Sequence, residues 1–103
     1  MAPVLQIGRM SVPAEVDAEW NAWYNGEYVP GYRKVPGVIY ARRYRVVEGF
    51  SGYSTVYEFA SRVVPESPEW NEQQRHSSPN SPRMRQAMTH APGSPGVYVR
   101  VNP

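Results

Sequence analysis

The sequence predicts one small α+β domain whose elements run in the order β-α-β-β-α-β. Three observations predict it. Four segments rich in β-branched and aromatic residues are spread along the 103 residues. The middle two are joined by a short link that carries two glycines, as in an antiparallel hairpin. Proline-led helix starts occupy both remaining gaps.

Val4 to Val12 (VLQIGRMSV) reads as the first strand and ends at Pro13. Pro13-Ala14-Glu15 opens a helix. Proline loses nothing in a first turn, and Glu15 and Asp17 suit the positive helix end. Val16, Trp20, Trp23 and Tyr24 then fall at i, i+4, i+7 and i+8, one apolar helical face. This helix is expected to break near Asn25-Gly26, because the residue before Pro30 is biased away from αR. Tyr28 to Val35 continues as a turn or short helical piece. Pro36-Gly37 is a turn.

Val38 to Val47 (VIYARRYRVV) is the second strand and Tyr53 to Ala60 (YSTVYEFA) the third. Pro65, Pro68, Pro79 and Pro82 bracket two short polar segments. Glu69 to His76 reads as a helix with Ser67 as N-cap and Pro68 at its first position. Arg83 to His90 reads as another, with Ser81 and Pro82 in the same roles. Val97 to Val101 (VYVRV) alternates as the fourth strand. In this ferredoxin-like arrangement the helices cover one face of the sheet. The other face needs a partner, and a second copy in a homodimer is the simplest one.

Composition narrows the function classes. The net charge is +2, and no Lys/Arg run exceeds two residues, so no nucleic acid partner is expected. There is no Cys, hence no disulfide, thiolate nucleophile or Cys-ligated metal. Met1 to Met10 carries Arg9 and lacks the apolar core of a signal peptide. No apolar run approaches the roughly 18 residues of a membrane span, so no membrane partner and a cytoplasmic location are expected. The two His are fourteen residues apart. Glu69, Glu72 and His76 are only a weak match to a ligand set, and no metal is expected. Gly8 and Gly26 stand alone rather than in a phosphate loop, and no G-x-S-x-G elbow occurs.

Glu19 to Pro30 (EWNAWYNGEYVP) resembles the W-Y-N-x-x-H-x-P helix end of EthD-like dimeric α+β barrel proteins. Val35-Pro36-Gly37-Val38 with Ala41-Arg42-Arg43-Tyr44 resembles their PGF…ARRY strand, and Tyr53 to Glu58 their YLALYE strand. The likeness covers roughly residues 1–70. It implies a dimeric α+β barrel. It leaves the reaction open among cofactor-independent oxygenases, cyclases, isomerases, decarboxylases and haem-linked enzymes. The family's His in the helix-end motif is Tyr28 here, so its acid/base role does not carry over.

The residues themselves suggest acid–base chemistry. His76 and His90 are the side chains that titrate near neutral pH unaided. At a helix C-terminus the pKa of His90 would be drawn upward. The resemblance favours a catalytic His in the second helical region, which is His76. Strand alternation puts Tyr40, Arg42 and Tyr44 on one face and Arg43 and Arg45 on the other. A half-buried Arg needs a partner. For Arg42 that is Glu58, in a structural ion pair, or a substrate anion held by the guanidinium fork, and Arg43 could take its part. Trp20, Trp23, Tyr24, Tyr28, Tyr57 and Trp70 are candidates for the wall of a pocket for a flat ligand, or for plain core packing.

The leading expectation is a cofactor-independent lyase, isomerase, cyclase or decarboxylase that moves protons on a small aromatic, polyketide-like or cyclic organic acid. His76, His90 or Tyr28 would move the proton and Arg42 would hold the anion. The alternatives are a cofactor-independent monooxygenase of phenolic substrates, and a non-catalytic ligand-binding dimer. No cofactor is expected in any of them.

Overall fold

The computed structural model describes residues 3–75 and 81–102. Strand β1 (Val4–Ser11) is followed by a 3-10 turn and helix α1 (Asp17–Trp23). A π turn (Tyr24–Tyr28) runs directly into α2 (Val29–Arg33). Then come β2 (Val38–Arg45), β3 (Tyr53–Phe59), α3 (Pro68–Arg75), α4 (Ser81–Ala87), β4 (Thr89–His90) and β5 (Gly96–Val99). The sheet is antiparallel in the order β2-β3-β1, and β4 and β5 both pair with the far side of β1. The ferredoxin-like α+β order expected from the sequence is therefore present, with its last strand in two pieces.

Two expectations need correction. The first helix does not break at Asn25-Gly26. It widens instead, so that the Val29 N–H donates to the Tyr24 carbonyl five residues back. Pro30 follows in the first turn after this widening, where its missing N–H is tolerated. The last helix, in turn, does not reach His90. It ends at Ala87, and Thr89–His90 joins β1 opposite Ser11 and Met10. An unmet edge of β1 offers these residues a ladder, and the Ala91 N–H continues it to the Arg9 carbonyl at 2.9 Å. The loop from Ala91 to Pro95 then separates β4 from β5 and contains a cis Ser94–Pro95 bond.

Alternation sorts the sheet into two faces. Val4, Gln6, Gly8 and Met10 of β1 point toward the helices, with Thr55, Tyr57 and Phe59 of β3 and Ala41 and Arg43 of β2 in register beside them. Trp20, Phe59, Met84 and Trp70 are fully buried between sheet and helices. Trp70 is seated by its cap, since the Trp70 N–H donates to Ser67 Oγ at 3.1 Å. The opposite face carries Leu5, Ile7, Tyr40, Arg42, Tyr44, Val56, Glu58 and Tyr98 by the same register, and no helix among the described residues covers it.

Candidate functional site

Between the helix-side face of the sheet and the helices lies a cavity of about 380 Å3. Its floor is Gln6, Gly8 and Met10 of β1 with Thr55 and Tyr57 of β3. One wall is Tyr24, Tyr28 and Tyr32, projecting from the π turn and its flanks. The other is Trp70 and Gln74 of α3, Arg85 of α4, and Met88. His90 and Pro95 close the rim. Size and lining match pockets for small organic ligands, which run about 300–1,000 Å3 and are mostly apolar with a few placed polar groups.

The aromatic wall is continuous. Ring centroids lie 4.8 Å apart for Tyr24–Tyr28, 5.0 Å for Tyr28–Tyr32 and 4.5 Å for Tyr32–Trp70. Trp20 and Trp23 stand behind it, 4.8 and 5.6 Å from Tyr24. They buttress the wall without facing the cavity. The hydroxyls form a polar seam, with Thr55 Oγ1 donating to Tyr24 Oη at 3.1 Å and Tyr28 Oη 3.3 Å from Tyr32 Oη. The Tyr57 hydroxyl is buried among them without a hydrogen bond of good geometry. Burial pushes the Tyr24 pKa up to about 12 and those of Tyr32 and Tyr57 up as well. These phenols stay protonated at neutral pH, and they serve as hydrogen-bond donors rather than bases.

Beside the tyrosines, two ionisable groups among the described residues line the cavity, His90 and Arg85. His90 Nδ1 lies 3.0 Å from Ser94 Oγ, which also accepts the Arg9 N–H at 2.7 Å. His90 is exposed at the rim, and the desolvation it does undergo there draws its pKa below the usual value. This reverses the upward shift expected from a helix end, because His90 sits in a strand. Arg85 places its guanidinium carbon 5.3 Å from the centre of the Tyr28 ring. Its Nε and Nη2 are buried and have no hydrogen-bond partner among the described residues. None of the described cavity residues is an Asp or Glu.

Of the residues singled out in the sequence, Tyr24, Tyr28, Tyr57, Trp70 and His90 meet around this cavity. His76 lies outside the described residues. Arg42, Tyr40 and Tyr44 do not line the cavity, because strand alternation turns them to the uncovered face. There Arg42 pairs with Glu58 at 3.2 Å and stacks 3.8 Å from the Tyr40 ring centre. The structural pairing of Arg42 thus takes the place of a substrate contact. Arg43 points to the helix side, but Asn25 Oδ1 and Asn21 Oδ1 accept from it at 2.8 and 2.9 Å. It packs 4.3 Å from the Tyr24 ring centre as a brace behind the wall.

Arg85, Tyr32, Gln6 and Gln74 were not singled out. Arg85 had a signal in the sequence. Ser81, Met84, Arg85 and Met88 fall at i, i+3, i+4 and i+7, so one helical face of α4 mixes an Arg into its buried stripe. Among the described residues no three His, Asp or Glu side chains converge as metal ligands. No helix among them is long and apolar enough to cross a membrane.

No protein-family model matches the chain, and no curated protein matches it in sequence. Solved structures do match its shape. SnoaB, a cofactor-independent oxygenase from Streptomyces nogalater, superposes with a TM-score of 0.68 at 12% identity, over 100% of this chain and 97% of its own. The heme-degrader MhuD from Mycobacterium tuberculosis, solved with two hemes in its active site, gives a TM-score of 0.68 at 20% identity over 98% of both chains. An EthD-family protein from Bacillus halodurans gives 0.62 at 11% identity, over 95% of this chain and 99% of its own. The chain thus has the ferredoxin-like α+β fold that these proteins, the EthD-family protein among them, share.

Proposed function

We propose that the chain is a cofactor-independent enzyme that removes a proton from a flat, weakly acidic organic molecule held in the tyrosine-lined cavity. The observation that carries this reading is His90 at the rim of a cavity whose one described cation, Arg85, is unpaired. In the tautomer whose Nδ1–H donates to Ser94 Oγ, the Nε2 lone pair of His90 is free to accept the proton. The buried tyrosine hydroxyls donate to the oxygen of the anion that forms, and Arg85 makes the cavity favourable to a negatively charged molecule. Such an anion can be reprotonated at another atom, as in an isomerase, add to a carbonyl carbon of the same molecule, as in a cyclase, or expel a leaving group from the adjacent carbon, as in a lyase.

A second reading is that the anion reacts directly with dioxygen. The likeness in shape to SnoaB, described as a cofactor-independent oxygenase, supports it. A second copy of the chain is proposed to cover the open sheet face, where Tyr40, Tyr44 and Tyr98 stay 43–52% exposed in the monomer.

Anthrone, whose methylene protons are weakly acidic, tests the reading. In D2O under nitrogen the protein should speed exchange of that methylene, and His90→Gln should abolish the acceleration. Oxygen uptake under air, with exchange retained under nitrogen, would assign the second reading. Tight binding of anthrone with neither exchange nor oxygen uptake would leave a binding protein and end the enzyme proposal.

A further inference from the structure

We infer that the ligand of this cavity carries a carboxylate, and that Arg85 anchors it through the side edge of its guanidinium. The inference rests on the cavity being the ligand site. The two Arg85 atoms without a partner are Nε and Nη2. They are not a random pair, because they form one edge of the planar group, with two parallel N–H bonds pointing the same way. That edge matches the two oxygens of a carboxylate in a two-point contact. A single phenolate oxygen would satisfy only part of it.

The surroundings reinforce the choice. Buried N–H groups of a charged side chain are costly to leave unpaired, so something ordinarily meets them. Arg85 is not a spare surface residue of α4. Its neighbour Arg83 shows how a surface Arg on this helix behaves, donating to both carboxylate oxygens of Glu19 at 3.0 and 2.8 Å. Arg85 instead turns into the cavity beside the Tyr28 ring and finds no acid among the described lining residues. Two guanidinium groups on one short helix thus each present a pair of N–H donors, Arg83 through its end and Arg85 through its side edge. The first pair is filled by the protein's own Glu19, and the second faces the cavity.

The geometry also sets the ligand's orientation. With its carboxylate on Arg85, the ring system lies along Tyr28, Tyr32 and Trp70, whose rings already touch in sequence at tilted angles. The carboxylate is then the handle. The reacting atom lies toward His90.

Calorimetric titration with 2-naphthoate and with its uncharged isostere 2-naphthamide tests this. Wild-type protein should bind the acid roughly tenfold or more tighter than the amide, the scale of one charge-assisted two-point contact. Arg85→Gln should erase that preference, and Arg85→Lys, which keeps the charge but not the fork, should recover only part of it. Thermal melts of both variants control for folding. Equal binding of acid and amide by the wild type, or an undiminished preference in folded Arg85→Gln, would overturn the carboxylate assignment while leaving the cavity as a ligand site. Failure of both probes to bind would overturn the cavity reading itself, and the inference with it.

Discussion

Replacing Gly8 by Val separates the fold from the site. Gly8 lies in the middle of β1 between Gln6 and Met10 and opposite Thr55, and its Cα forms part of the cavity floor. A Cβ built there meets one atom closely, the terminal methyl of Met10 at 3.1 Å. That methyl is the free end of a flexible side chain and can step aside. The rest of the new side chain enters the 380 Å3 cavity. A glycine in a strand interior costs roughly 0.5–1 kcal/mol relative to alanine, and β-branched residues suit strands better still. The variant should therefore be as stable as the wild type or more so, by about 0.5–1 kcal/mol. For a domain of this length that raises Tm by about 2–8 °C. Ligand binding should move the other way, because two methyl groups occupy the space over the floor. Affinity for 2-naphthoate should fall roughly tenfold or more, the result of overpacking a formed site by about 1–3 kcal/mol. Differential scanning calorimetry and titration on one preparation read both effects. Unchanged affinity in a variant with raised Tm would refute the placement of the ligand over β1. A fall in Tm of several degrees would refute the claim that the space above Gly8 is empty.

Other outcomes follow from the same structure. Desolvation depresses the His90 pKa, so the folded state binds this proton less readily than the unfolded chain. Its contribution to stability is present above the unfolded value of about 6.5 and fades as pH falls through the folded value. Proton abstraction should follow the same course, flat near neutrality and declining in acid, and His90→Gln should remove that limb from the pH profile of anthrone exchange. Gly52→Ala should be among the most damaging single changes. Gly52 has φ +145°, and its Cβ would lie 2.3 Å from the Met10 carbonyl oxygen. A loss of about 2–4 kcal/mol is expected in urea denaturation, and wild-type stability would contradict the closeness of that hairpin link to β1. On the open face, Tyr44→Glu with Tyr98→Glu should convert a dimer to a monomer in light scattering while 2-naphthoate still binds. An unchanged mass would remove the second copy from that face.

Much of this architecture was legible because it depends on local rules. Two-residue alternation placed Tyr40, Arg42 and Tyr44 together and offered Glu58 as the partner of Arg42, and the 3.2 Å pair is there. Ser67 was readable as a cap from its position before Pro68, and it caps Trp70. What escaped depends on partners far away in the chain. His90 looked like a helix end, but the free edge of β1, eighty residues earlier, drew it into a strand. Pro30 looked like a helix stop, but a backbone that adds one residue to its turn passes through it. Arg85 drew no notice beside the denser arginines of β2. Its significance lies in what fails to meet it, and a sequence records no vacancies of that kind.

The π turn has a geometric consequence for the tyrosine wall. Trp20, Tyr24, Tyr28 and Tyr32 recur at a strict interval of four. At 3.6 residues per turn each such step advances about 40°, so three steps would wind the rings about 120° around a regular helix. One additional residue in a single turn takes back roughly 100° of that rotation. The four rings are thereby brought almost into line. A regular α-helix wound through the same residues would swing Tyr28 and Tyr32 off the line, leaving every strand in place and the cavity without its wall.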